Sequence, residues 1–402
     1  AQDVCKSISV GVVIKPTQYY VPEGYGVKAF RSANVREGFI NDSDWVYFSH
    51  EGHAINKKSH LKTGDVLIVR TGYPGTACVV TPEFEGSNAI DIVIARPDMD
   101  KIIPEYLCAY TNSHIGKSQV LDLQGGMAQK HLNVGAYQVL KINLPPLREQ
   151  KKIAQILSTW DKAITVTEKL LANSQQQKKA LMQQLVTGKK RLLDENGVRF
   201  SGEWKRVKLG AIADMNSGGT PKSTVEEYYG GNIPWVSISD MTSNGKWIAT
   251  TEKYLTELGL NSSSARIYPK NSVLYAMYAS IGECSIAAVN LTSSQAILGI
   301  RPKDCLNYEF LYFYLTSLKE KIKLQGQQGT QSNLNAGMVK EFELDLPSIR
   351  EQQKIAAVLS AADAEISTLE KKLACLRDEK KALMQQLLTG KRRVKVDEAV
   401  AE

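Results

Sequence analysis

The chain has 402 residues, 43% of them hydrophobic and 23% charged, with 50 Lys plus Arg against 42 Asp plus Glu and a formal net charge of +8. That is enough apolar material for two or three globular units. No apolar run approaches the roughly 18 residues of a membrane helix, and no basic-then-apolar leader opens the chain, so a soluble, cytoplasmic protein with no membrane partner is expected. Six scattered cysteines (Cys5, Cys78, Cys108, Cys284, Cys305, Cys375) include no Cys-x-x-Cys pair, which argues against a disulfide framework or a zinc knuckle and predicts reduced thiols. The mild basic excess fits a polyanionic partner without identifying one.

From residue 1 to about 143, short β-branched and aromatic runs broken by Gly, Pro, Asn and Ser predict strands and turns, and PEYLCAYTNSHIGKSQVLDL (104–123) predicts a helix. His50, His53 and His60 in HEGHAINKKSH have no matching cluster later in the chain, so a solvated loop is expected there and not a metal site. After Pro145 and Pro146, positions that step by four and three run through Ile153, Leu157, Trp160, Ile164, Thr167, Leu171, Ser174, Lys178, Leu181 and Leu185, apolar at both ends and more polar in the middle. That is a coiled-coil seam. It contains no Pro or Gly and stops at Thr187-Gly188, a helix C-cap. Lys189-Lys190-Arg191 follows, readable either as a solvated helix end or as a phosphate contact.

The second half repeats this plan. Strands and turns are predicted between about 200 and 345, with a helix over NYEFLYFYLTSLKEKIKL (307–324). After Pro347 a second seam runs through Ile355, Leu359, Ala362, Ile366, Leu369, Leu373, Leu376, Leu383 and Leu387, with Lys380 in the gap. It ends at Gly390, before Lys391-Arg392-Arg393. LPPLREQ at 144 and LPSIREQ at 346 lie 202 residues apart, as do KKALMQQLVTG at 178 and KKALMQQLLTG at 380. The chain is a duplication. In the globular parts the landmarks keep their order: Val66-Leu67 against Val273-Leu274, Gly75 against Gly282, Arg96-Pro97 against Arg301-Pro302, Leu132-Asn133 against Leu334-Asn335. Other letters diverge, as happens when a fixed scaffold carries loops for different ligands.

An α+β fold is therefore expected, with two similar domains at 1–145 and 193–346, long helices within 146–192 and 347–393, and a tail at 394–402. Helices of about 36 to 40 residues at 1.5 Å per residue are about 55 to 60 Å long. They are expected to pack on each other antiparallel about a pseudo-two-fold axis, with Lys178 and Lys380 as polar, register-setting positions in the seam. No phosphate loop, no Asn- or Asp-Pro-Pro-aromatic methyltransferase motif and no Gly-rich cofactor loop occurs, and Pro97-Asp98 lacks the Asp/Glu-x-Lys that would complete a nuclease signature. A chain without catalytic, metal or cofactor residues is expected.

The opening LPxxREQxKIAxxLSxxD (144–161 and 346–363), the close KKALMQQLxTGK, GGNIPWVSISDM (230–241) and GTQSNLNAG (329–337) resemble the specificity subunit of type I restriction-modification systems over the whole chain. The resemblance implies that each recognition domain reads one half of a split double-stranded DNA target. It implies too that the two helices form an antiparallel coiled coil that separates the domains and docks two methyltransferase subunits, with motor-nuclease restriction subunits completing the enzyme. S-adenosylmethionine, ATP and Mg would then bind those partners. Helix length would act as a ruler for the gap, because half-sites on one face of a duplex recur about every 34 Å.

Base readers are sought among polar loop residues. In the first domain these are Thr17, Gln18, Tyr19, Arg31, Ser32, Asn34, Arg36, Arg70, Tyr73, Gln129, Lys130 and His131. In the second they are Thr220, Lys222, Ser223, Ser239, Asp240, Met241, Thr242, Tyr278, Ser280, Gln331, Ser332 and Asn333. Tyr19-Tyr20 and Tyr228-Tyr229 are expected to pack more than to stack on bases. One departure is that the second half opens with EWKRVKLG (203–210), a lead-in missing before the first domain, which leaves the anchoring of its first strand open. The competing reading is a coiled-coil scaffold whose globules bind protein, and it predicts no salt-dependent DNA binding.

Overall fold

The two Val-Leu runs that the repeat aligns become the central strands of two sheets in the computed structural model, which describes residues 1–123, 131–327 and 333–395. It divides into two units, Ala1–Lys169 with Glu370–Glu402, and Leu170–Leu369.

In the first unit β1 (Cys5–Val10), β2 (Val66–Val69), β3 (Ala77–Val79) and β4 (Ile92–Pro97) form an antiparallel sheet in the order β1-β4-β2-β3, with Ile94 opposite Leu67 and Leu67 opposite Cys78. The two-residue period of a strand sorts β2 onto two cores. Val66 and Ile68 face the helices α1 (Pro104–Asn112) and α2 (His114–Leu123), while Leu67 and Val69 join Phe30, Val35 and Ile92 on the other side. A smaller sheet of Tyr20–Val21, Val46–Ser49, Gly26–Phe30 and Asn88–Ala89 completes the unit.

The single helix expected over 104–123 is in fact two. Ser113 is extended (φ −65°, ψ 160°) and its Oγ accepts from Gly116 N–H at 3.1 Å, capping α2. A Cβ at Gly116 would collide with the carbonyls of Tyr110 and Thr111, so only glycine permits this close turn.

The chain then enters α3 (Leu147–Leu185), 39 residues long. In the second unit β5 (Lys205–Lys208) stands apart. The main sheet takes β6 (Ala213–Ser217), β7 (Trp247–Ile248), β8 (Val273–Ala276), β9 (Cys284–Ala287) and β10 (Ile297–Pro302) in the order β6-β10-β8-β9-β7. Val273 and Tyr275 face the core that includes α4 (Tyr308–Gln327), and Leu274 and Ala276 face the core of Val236 and Met241. This is the same division of faces as in β2. A final strand β11 (Glu343–Leu346) pairs with β5 before α5 (Ile349–Leu388), 40 residues long.

The matching residues 141–144 pair with no strand among the described residues. Gln119 holds Lys141 there by its N–H and carbonyl (2.9 and 3.0 Å). The first strand is nevertheless anchored: β1 pairs with β4 from Cys5 opposite Pro97 to Val10 opposite Val93, and Val4 and Cys5 pack on the core.

Within each unit the two long helices run antiparallel. Asp161 meets Lys380 (2.6 Å) and Glu168 meets Arg377 (2.7 Å) in the first, and Asp363 meets Lys178 and Glu365 meets Ser174 (3.1 Å) in the second. The seam lysines thus answer the aspartates that end the repeated LSxxD. Ile153, Leu157, Leu185, Ile355, Leu359, Leu373 and Leu387 are buried. Trp160, Ile164, Leu171, Leu181, Ile366, Leu369, Leu376 and Leu383 are half-buried. Met182, Val186, Met384 and Leu388, outside the seam pattern, are buried too, because the helix ends also pack on the sheet-and-helix cores.

Both long helices end alike. Gly188 and Gly390 take φ of +69° and +74° as left-handed C-caps, their N–H groups donate to Leu185 and Leu387 (3.3 Å each), and Lys190 N–H and Arg392 N–H donate six residues back to Gln184 and Gln386 (3.1 and 3.0 Å). The turn aims an arginine at the next helix start. Arg191 grips Glu351 through two bonds (2.6 and 2.8 Å) and Arg393 grips Glu149 the same way (2.8 and 2.6 Å). Of each basic run, then, the third residue makes an internal ion pair. The neighbouring Gln150 and Gln352 accept from Ile103 N–H and Asn307 N–H (3.1 and 2.8 Å) and donate to two carbonyls each. The repeated Glu-Gln pair is therefore the joint between globule and helix.

Candidate nucleic-acid interface

In both units three segments converge beyond the central strand: the strand's own end, the turn before the following antiparallel strand, and the Leu-Asn pair that opens a short helix. Backbone bonds hold them. Leu132 N–H donates to Arg70 carbonyl (2.9 Å) and Leu334 N–H to Met277 carbonyl (3.1 Å), and Asn133 and Asn335 cap the helices Val134–Gln138 and Ala336–Lys340 (2.7 and 3.0 Å). Gly75 and Gly282 turn the hairpins beside them with φ of +86° and +82°.

The side chains at this place differ in kind. In the first unit the Arg70 guanidinium donates to Leu132 carbonyl (3.0 Å) and Asp91 (2.5 Å) and meets His131, whose Nδ1 lies 2.9 Å from Thr71 Oγ1. In the second, Thr220 donates to Gln295 while Tyr278 and Asn333 are exposed. One place is charged, the other is hydroxyl and amide. Asp91 and Gln295 escaped the sequence reading. Their signal was position, in the turn just before the strands that end Arg96-Pro97 and Arg301-Pro302.

Several sequence candidates need correction. Met241 is fully buried against Val236, Ile248 and Leu274, so it has no surface to offer a base. Asp240 is spent as a helix cap, accepting from Ser237 N–H (2.8 Å) and Glu252 N–H (2.9 Å). Asn34 is fully buried and ties its turn together through Arg31 N–H (2.9 Å) and the carbonyls of Asn41 and Ser43 (3.2 and 2.8 Å). Arg70 is 9% exposed with its donors engaged, and it organises the cluster around His131 without being free to reach a base.

Arg31 is bonded to Asp44 carbonyl, Arg36 folds onto the carbonyls of Ser32 and Val35 (3.4 and 3.2 Å), and Ser32 and Ser280 are half-buried. Tyr19 packs on Phe48 with ring centroids 5.5 Å apart, and Tyr229 donates to Pro221 carbonyl at 2.7 Å. Thr17, Gln18, Tyr73, His131, Lys222, Ser223, Ser239 and Thr242 are exposed. Gln129, Lys130, Gln331 and Ser332 lie outside the described residues.

The histidine segment is ordered and not a solvated loop: His50–Ile55 is a helix, the rings of His53 and His60 stack at 3.8 Å, and His53 Nδ1 lies 2.5 Å from Asn88 Oδ1. Burial pushes the thiols of Cys5 and Cys78 up to about 11 and about 12 and also raises those of Cys108 and Cys284, so all four are poor nucleophiles. Among the described residues no helix is long and apolar enough to cross a membrane.

A family model described as the type I restriction modification DNA specificity domain matches residues 49–173 and 201–376, one stretch in each half of the repeat. The chain belongs to this family. The MjaVIII type I restriction enzyme specificity subunit of Methanocaldococcus jannaschii is 27% identical over 339 residues, covering 78% of this chain and 78% of the relative. The EcoR124I/EcoR124II specificity subunit of Escherichia coli is 26% identical over 295 residues, covering 70% and 68%. The crystal structure of the type I restriction-modification S subunit of M. genitalium shares the fold, with a TM-score of 0.58 at 15% identity, 96% of this chain and 94% of that one being covered. As a type I specificity subunit the protein contributes DNA recognition and no catalysis of its own.

Proposed function

We propose that the two units read the two halves of a bipartite double-stranded DNA target. The observation that carries this is one backbone arrangement repeated with different chemistry at the same place: Asp91, Arg70 and His131 in one unit, and Thr220, Gln295, Tyr278 and Asn333 in the other. Hydroxyl, amide and imidazole groups suit base edges, and exposed lysines such as Lys222 suit phosphates. The long helices, without Pro or Gly inside them, would set the spacer and dock two methyltransferase subunits, and motor-nuclease subunits would complete the restriction enzyme. S-adenosylmethionine, ATP and Mg belong on this reading to those partners, and the assembly works in the cytoplasm.

The test is selection from a random DNA pool by this chain assembled with its methyltransferase partner. Two defined blocks separated by a fixed undefined gap support the reading, and binding should weaken steeply with salt. Deleting one heptad within 164–178 should change the gap and not the blocks. Enrichment of nothing by an intact complex sinks the proposal and favours the scaffold.

A further inference from the structure

The hairpins that border the two candidate sites match bond for bond. Ala276 N–H donates to Glu283 carbonyl (2.9 Å) as Val69 N–H does to Thr76 (2.8 Å). Gly282 N–H donates to Ala276 carbonyl (3.1 Å) as Gly75 N–H does to Val69 (3.0 Å), and Glu283 N–H to Ser280 carbonyl (3.0 Å) as Thr76 N–H to Tyr73 (3.2 Å). Positive φ recurs at the same two places, Gly72 with Ala279 and Gly75 with Gly282. A Cβ on Gly75 would sit 3.4 Å from Val120 and one on Gly282 3.4 Å from Lys319, so each hairpin rests on a helix that follows its sheet, α2 or α4.

What holds this shared shape differs. The first hairpin is shaped covalently: Gly72 (φ +92°) enters the left-handed region without strain, and the ring of Pro74 fixes its own φ. Its support, Val120, is apolar and fully buried. The second hairpin has Ala279 (φ +55°) in place of Gly72 and Ile281 in place of Pro74. A Cβ disfavours that conformation, which persists only where the surroundings over-determine it. Two contacts do so here. Ile281 N–H donates back to Ala279 carbonyl (2.7 Å), and the Lys319 ammonium donates to the Glu283 carboxylate, both side chains being half-buried. Thr76, where the first unit matches Glu283, and Val120 can form no such ion pair.

We propose that Lys319 and Glu283 are positioning residues, a latch that holds the Tyr278 hairpin in the shape that meets DNA, as Gly72 and Pro74 hold the hairpin of the first unit. Tyr278 is 37% exposed and directly precedes the strained residue, so its ring moves when the hairpin loosens. Binding would then have to order the hairpin as well, which lowers affinity and discrimination at one half of the target only. The inference rests on the reading that each unit recognises one DNA block.

Hydrogen exchange of the full chain, read by mass spectrometry on peptides covering 277–283 and 70–76, tests the latch without DNA. Lys319→Met keeps the stem under Gly282 and Glu283→Gln keeps the shape, and each is first shown to be folded by circular dichroism. Both should quicken exchange in 277–283 by about two- to fivefold and leave 70–76 as in the wild type. Lys319→Arg, and the exchanged pair Lys319→Glu with Glu283→Lys, should keep exchange slow. Pool selection by the same variants, assembled with the methyltransferase partner, should show preference in one DNA block weakened by Lys319→Met and Glu283→Gln and restored by the exchanged pair, the other block being unchanged. Unaltered exchange in both single variants overturns the latch, and quickened exchange with both blocks intact overturns its positioning role. A wild-type complex that selects no blocks faults the DNA reading, and the exchange data still decide the latch.

Discussion

At the end of its central strand the first unit carries Arg70, bound to Asp91 and His131, where the second carries Met277, a neutral residue, yet the backbone bonds to Leu132 and Leu334 are the same. The difference teaches that the frame is held by main-chain pairing, which every residue but proline can supply, so the side chains are left to vary. The joints show the opposite. Arg191–Glu351 and Arg393–Glu149 are identical in chemistry, and each shelters a carboxylate that has no other cationic partner among the described residues. They differ in enclosure: Trp204 covers the first, its ring 5.5 Å from the Arg191 guanidinium and its Nε1 3.1 Å from Glu351, whereas the Arg393 side chain is 68% exposed.

That contrast sets the largest expected effect. Arg191→Ala strands Glu351, 2% exposed at its side chain, and should cost about 3 to 5 kcal/mol in denaturant unfolding, as breaking a buried pair does. Arg393→Ala should cost clearly less, because water already reaches the arginine side of that pair, and equal losses would break the comparison. Next come Leu157→Ala and Leu359→Ala, matched seam positions 3% and 0% exposed, each expected to lose about 2 to 5 kcal/mol by cavity formation. Here the two units should agree, and a large difference would mean that the helices are not equivalent.

A smaller effect follows from pH. The Arg393 guanidinium holds Glu149 below its ordinary carboxylate value of 4.5. A depressed carboxylate contributes stability above its unfolded value that is lost as pH falls through the folded one, so the denaturant midpoint should drop below about pH 4.5. Arg393→Ala should flatten that dependence, and an unchanged acid limb would exclude the pair as its source. Arg70→Met, which copies the second unit, should alter one block of the selected target and leave the other; changes in both would mean that the units do not read separately. The smallest effect is chemical: a thiol reagent should label Cys305 and Cys375, which are exposed, quickly, and Cys78, Cys108 and Cys284, which are buried, only on unfolding.

The duplication, the two long helices, their seams and the α+β class could all be read from spacing, because a helix or strand declares its buried face by local period and a 202-residue offset survives divergence. Lys178 and Lys380 stood out as polar seam positions, but that each answers an aspartate on the facing helix required two distant segments side by side. The interface was less readable. Asn34 and Asp240 have the letters of turn residues and Met241 stands between polar neighbours, and only packing shows that they are buried or spent on caps. Asp91 and Gln295 carry no signal beyond their position just before the strands that end Arg96-Pro97 and Arg301-Pro302. The break at Ser113 is likewise decided by Gly116 against two carbonyls, a contact that no propensity encodes. Sequence alone determined which elements exist and that they come twice, because those depend on neighbours along the chain. Tertiary structure decided which polar groups are free to meet a ligand, because that depends on neighbours in space.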